Sequence, residues 1–154
     1  MVLILLDSLS SVISDLLDQE LKIYEDLRLQ VDREILAIDE GDMDRLVSIL
    51  EEKQSIISRQ EEILSRWEDV STSLGIDQKR ETPLFWSKLL EVIGRDSYEK
   101  LVDKVERLKD MASLNLSSEN IAQEKMKDKL KDLKSKMNRM ANGKKAVKGY
   151  MGNF

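Results

Sequence analysis

Gly41 and Asp42 interrupt a periodic pattern that otherwise runs through the first half of the chain. Before them, Leu6, Leu9, Ile13, Leu16, Ile23, Leu27, Val31 and Ile38 recur at helical spacing, with Glu20 and Glu34 where the stripe calls for apolar residues. After them come Leu46, Ile49, Leu50, Ile56, Ile57, Ile63, Leu64, Trp67, Val70 and Leu74, with Lys53 and Gln60 inside the stripe. Glycine adopts the left-handed conformation that ends a helix, and an Asp directly after it can accept amides that open the next. Two long helices joined by so short a link must fold back on each other as an antiparallel hairpin. The spacing predicts helices over about residues 3–38 and 43–74, the first roughly 50 Å long. Trp67 is expected in the core, opposite the first turns of helix one.

Gly75 ends the second stripe, and residues 76–81 are polar enough to read as a loop. Thr82-Pro83 then opens a short helix over 83–93, with Thr as N-cap and Pro at the first helical position. Phe85 and Trp86 are neighbours and diverge by about 100°, so both cannot sit at the centre of one narrow stripe. Wedging of both against the ends of the long helices is the expected arrangement. Gly94 closes this helix and a last one is expected over about 97–140.

Leu101, Val105, Leu108, Met111 and Ala112 form the first apolar stretch of that last helix; Ala122, Met126, Leu130, Leu133, Met137 and Met140 form its second. Between them lies the polar run from Asn115 to Asn120, read as a bend, a change of packing partner or a surface. From Ile121 onward there are 10 Lys and Arg against 3 Asp and Glu. Methionine adapts its shape and recurs at helix-binding surfaces. Residues 141–154 contain three glycines and read as a flexible C-terminal tail, carrying Val147, Tyr150, Met151 and Phe154.

Composition limits what this chain can do. It has no Cys and no His, which removes disulfides, thiolate chemistry and imidazole acid–base catalysis. No phosphate-binding loop, dinucleotide fingerprint or nucleophile elbow is present. Adjacent acids such as Glu51-Glu52, Glu61-Glu62 and Glu68-Asp69 diverge around a helix and read as a solvated face, not a cation site. The chain is therefore expected to be no enzyme and to need no cofactor or metal. Charged residues make up 36% and aromatics 5%, so the core must be built from aliphatic side chains. Residues 1–75 carry 18 Asp and Glu against 7 Lys and Arg, whereas residues 76–154 carry 12 against 18. The acidic total of −5 speaks against nucleic acid. Met1 to Leu6 lacks the basic flank of a signal peptide, and no stretch approaches the ~20 apolar residues of a membrane span. A cytoplasmic protein without membrane insertion is expected.

The fold expected is all-α: an elongated antiparallel helical hairpin, a short third helix and a long C-terminal helix, in one domain over 1–140. The pattern Ile38-x-x-Gly41-Asp42-x-x-x-Leu46-x-x-Ile49-Leu50-Glu51-x-Lys53-x-x-Ile56-Ile57 resembles the FlgN family of flagellar export chaperones. The likeness continues through Leu74-Gly75-Ile76, the short third helix, and an Asn-containing stretch at Asn115 and Asn120. The family more often spaces those two Asn three residues apart. The resemblance implies a cytoplasmic chaperone without ATPase activity that holds hook–filament junction proteins for the flagellar type III secretion apparatus. By that resemblance, the client's helical terminus would be bound at Met126, Leu130, Leu133, Met137 and Met140, with Tyr150. The chaperone itself would be a monomer or weak dimer and would also meet export apparatus components. Alternatives are a spectrin-like coiled-coil spacer acting by homo-oligomerisation, or a chaperone for another flagellar client such as the filament cap.

Overall fold

A computed structural model describes the backbone of residues 2–151 and the side chains of residues 8–143. It contains four helices: α1 (Val2–Glu40), α2 (Met43–Leu74), α3 (Pro83–Ile93) and α4 (Arg95–Met151). The protein is all-α, extended, and packed largely through antiparallel and parallel pairs of long helices.

Two residues make the hairpin turn. Gly41 has φ +68°, its N–H donates to the Ile38 carbonyl at 3.2 Å, and the Asp42 N–H donates to the Ala37 carbonyl at 3.0 Å. These are the paired bonds of a Schellman motif. Asp42 also opens α2, because its carboxylate accepts from the Arg45 N–H at 3.1 Å. Gly75 repeats the motif at the end of α2, with Ile76 donating to the Ser71 carbonyl at 2.9 Å. A Cβ at position 41 would meet nothing within 4 Å, so any penalty there comes from the backbone alone. Gly41→Ala is expected to cost about 1–2 kcal/mol in urea unfolding, and Gly41→Asn less. Equal penalties for the two would show that the left-handed conformation is not what the glycine supplies.

The side-chain pairs fix how the helices run. Glu34 faces Lys53, Asp26 faces Arg59 and Gln19 faces Arg66, so α2 descends as α1 rises. Ser14 and Asp18 meet Lys104, the Tyr24 carbonyl meets Asn115, and Asp39 meets Lys125, so α4 runs parallel to α1. α1 is thus the central helix, packed on both sides. Trp67 meets Glu20 in the middle of α1, not its first turns, because α1 is longer than α2 and runs on beyond the end of α2.

The apolar interior is in two parts. The larger joins Ile13, Leu17, Ile63, Trp67, Phe85, Leu89 and Leu101, and α3 closes it from one side. The smaller, under the hairpin tip, joins Val31, Ala37, Ile38, Leu46, Ile49 and Ala122. Thr82 sits at the N-cap of α3, but its hydroxyl donates back to the Lys79 carbonyl at 2.7 Å and caps no amide. Phe85 is fully buried and Trp86 half-buried beside it, their centroids 5.2 Å apart.

Two expectations are corrected. The backbone of α4 stays helical through residues 141–151, where the sequence reads as a tail. Gly143 and Gly149 lower helix propensity by about 1 kcal/mol each without forbidding the conformation, and no proline intervenes. Second, Leu50, Ile57 and Leu64 belong to the sequence stripe of α2 but lie outside its core, 46%, 37% and 40% exposed. The apolar face of α2 is wider than one neighbouring helix can cover.

Candidate protein-binding interface

Among the described residues, Lys125 is the last of α4 to bond across to α1, at Asp39. Met126 packs half-buried against the smaller core. Beyond it α1 and α2 have ended at the Gly41 turn, and α4 continues alone over residues 127–151, about 37 Å at 1.5 Å per residue. The structure therefore separates the six residues singled out from sequence. Leu130, Leu133, Met137 and Met140 are 55%, 54%, 62% and 65% exposed on this overhang, whereas Met126 anchors its root. The side chain of Tyr150 lies outside the described residues.

These four side chains continue the face that packs on α1 lower down. At 100° per residue, the positions from Leu101 through Ala112, Asn115, Ala122 and Met126 to Met140 fall within a band about 100° wide. In steps, the seam reads four-three until Ala122, then takes two fours in succession, to Met126 and Leu130, before resuming at Leu133. Such a stutter unwinds a coiled-coil seam locally and keeps it straight along the helix. A core-forming stripe has been carried past the end of its core. Four cations, Lys127, Lys129, Lys134 and Lys136, flank it, with Lys131 and Arg139 nearer the opposite face, and none has an ion-pair partner among the described residues. An exposed apolar strip rimmed by cations is suited to an amphipathic helix with an acidic border.

A polar layer separates this end from the rest. The Lys53 ammonium lies 2.8 Å from Glu34 and 2.6 Å from Glu119, tying all three long helices together. Burial alone would lower the pKa of Lys53. The hydrogen bonds to Glu119 and Glu34, with their charges, more than offset that and hold it above the ordinary lysine value. Asn115 is buried one turn away and donates to the Tyr24 carbonyl at 2.9 Å, while its own carbonyl oxygen finds no protein partner. The run from Asn115 to Asn120 stays helical, with Asn115 buried and Leu116, Ser117 and Asn120 exposed. It marks a change of packing, from the larger core to the smaller.

At the opposite end, sequence reading missed a second cluster. The 76–81 segment carries Ile76 into the core and brings Arg80 against Glu20, which also accepts the Trp67 indole N–H. The Arg80 guanidinium lies 4.7 Å from the Trp67 ring centre, a cation–π contact. The signal was Glu20 itself, a carboxylate in an apolar stripe that had to find donors. A cleft of about 480 Å³ opens beside this cluster, walled by Tyr24, Trp86, Leu90, Tyr98 and Val105. Burial, then the Glu20 charge, raises the Tyr24 pKa. Glu20 Oε1 accepts from both the Trp67 indole and the Arg80 guanidinium, which ties α1, α2 and the 76–81 segment together and gives the cluster a structural role.

No family model, no curated protein and no solved structure matches this chain. Among the described residues no group of three or more acidic side chains is placed to hold a metal ion. No described helix is long and apolar enough to cross a membrane.

Proposed function

We propose that this protein is a non-catalytic, cytoplasmic export chaperone that binds the helix-prone terminus of hook–filament junction proteins and hands them to the flagellar type III secretion apparatus. The observation that carries this reading is the overhang of α4. Its apolar seam, Leu130, Leu133, Met137 and Met140, has the spacing of a core stripe and no helix of its own chain to cover it. A client helix laid along the seam would bury those side chains and be kept from self-association before export. The motif around Gly41-Asp42 adds the flagellar identity, as a resemblance. No residue in the proposal performs chemistry, so affinity must come from apolar burial and charge.

The boundary of the smaller core sets where the test should cut. Removing everything after Met126 spares Ala122 and Met126, which pack under the hairpin tip. The truncated chain should keep its melting temperature and lose binding to junction proteins in calorimetry, by about a hundredfold or more. Unchanged affinity in the truncated chain would remove the overhang as the site. Binding of filament-cap protein in preference to junction proteins would reassign the client.

A further inference from the structure

We propose that two copies of this chain exchange their α4 overhangs, each laying its arm along α2 of the other in a closed twofold dimer. The receiving surface is a second seam on α2. Met43, Val47, Leu50, Gln54, Ile57, Glu61, Leu64 and Glu68 step four-three-four-three alongside the inner, core-facing seam. Its apolar members are unpartnered, from Ile57 at 37% to Val47 at 56% exposed. The arm seam steps in the same phase, so Leu130, Leu133, Met137 and Met140 register with Val47, Leu50, Gln54 and Ile57 in a parallel pairing.

Geometry selects this parallel register independently. The arm leaves its own hairpin level with the Gly41 turn, because Lys125 meets Asp39. When two hairpins meet tip to tip about a twofold axis, the arm of each starts beside Met43 of the other and runs down α2. It adds a fourth helix to α1, α2 and α4 at that level. An arm of about 37 Å covers the run from Met43 to Leu64, about 32 Å. Two arms with faces roughly 10 Å wide would bury on the order of 1,300 Å², the size of a specific interface.

Charge identifies the occupant. The basic residues of α2 are engaged elsewhere: Arg45 with Glu40, Lys53 in the polar layer, Arg59 with Asp26 and Arg66 with Glu62. Asp44, Glu51, Glu61 and Glu68 border or interrupt the outer seam, and none has a cation within ion-pair distance among the described residues. They face a basic arm. Two arms paired with each other would set lysines against lysines, and the same chain cannot fold its arm back without breaking a continuous helix. The exchange is reciprocal, so it closes at two copies with neither arm left over for a third.

Sedimentation equilibrium on the full chain tests this, with the dimer expected to weaken as salt rises. Ile57→Glu, Leu133→Asp and the exposed pair Glu61→Lys with Glu68→Lys should each weaken the dimer about tenfold or more, with helicity retained by circular dichroism. The chain has no cysteine, so Leu50→Cys with Leu133→Cys gives a clean readout. Under oxidation it should form covalent dimer, whereas Leu64→Cys with Leu133→Cys should not. A monomer at all concentrations overturns the proposal, as does a dimer indifferent to these changes or cross-linked equally by both cysteine pairs. The proposal stands without the export reading. Ile57→Glu should break the dimer and, by freeing the arm seam, leave client binding as tight or tighter, while Leu133→Asp should impair both.

Discussion

Lys53→Met should destabilise the protein by about 3 kcal/mol in denaturant unfolding. Lys53 and Glu34 are each only 12% exposed and Glu119 is 31% exposed, so two carboxylates would be left facing each other without their cation. Loss of one partner from a fully buried pair costs roughly 3–5 kcal/mol; the partial exposure of Glu119 places this case at the low end. Replacing all three by Leu, Leu and Ala should recover most of the loss, because the cost lies in the orphaned charges. The sign of the pH effect follows from the raised pKa of Lys53. Its stabilisation is fully present below the unfolded value, about 10.4, and is lost as pH rises through the higher folded value. Wild type should therefore lose stability on alkaline titration more steeply than Lys53→Met. Equal slopes would mean that Lys53 is not coupled to the fold, and a neutral Lys53→Met would dissolve the polar layer as a structural unit.

That layer shows which features a sequence reveals singly and which need register. Glu34, Lys53, Asn115 and Glu119 each stand out as polar residues in an apolar stripe. Their meeting in one layer depends on where α2 begins its descent and where α4 starts its climb. The first is legible, because Gly41 and Asp42 leave the backbone one economical way to turn. The second is not, because α3 and the 76–81 segment decide how far along α1 the last helix is set, and no short-range rule encodes that displacement.

The candidate interface is singled out by its methionines and by the family resemblance, and periodicity by itself points the other way. Leu130, Leu133, Met137 and Met140 repeat as a core stripe repeats, and periodicity alone assigns such residues to an interior. What exposes them is that α1 ends at Glu40 and α2 begins at Met43, at the hairpin tip, while α4 runs on past that tip to Met151. Leu50 and Ile57 carry the converse lesson. They continue the apolar face of α2 and read as core, yet one neighbouring helix covers only the inner seam. Surplus width on a stripe is itself a sign that a helix has more neighbours than its own chain provides.

Trp67→Ala should be the most damaging single change in the larger core, at about 4 kcal/mol by thermal or chemical unfolding. Trp67 is 3% exposed and touches Phe85 and Trp86 edge-on, with both ring centroids 6.4 Å away. Its removal opens a cavity beneath α3, strips the Arg80 guanidinium of its ring and leaves Glu20 with Arg80 as its remaining donor. Trp67→Phe keeps most of the packing but loses the indole N–H, so a smaller loss of about 1–3 kcal/mol is expected. A Phe variant as damaged as the Ala variant would place the whole effect in the hydrogen bond to Glu20. The location of the damage matters as much as its size. Ile38, Leu46, Ile49 and Ala122 pack on the far side of the Lys53 layer and share no contact cluster with Trp67. Hydrogen exchange in Trp67→Ala should therefore accelerate first in α3 and the first half of α1, with the hairpin tip protected longer. The root of the α4 arm is held at that tip, through Met126 and the Lys125–Asp39 pair. Uniform acceleration through both regions would show that the polar layer transmits unfolding, and that the arm's anchorage depends on the aromatic end of the molecule.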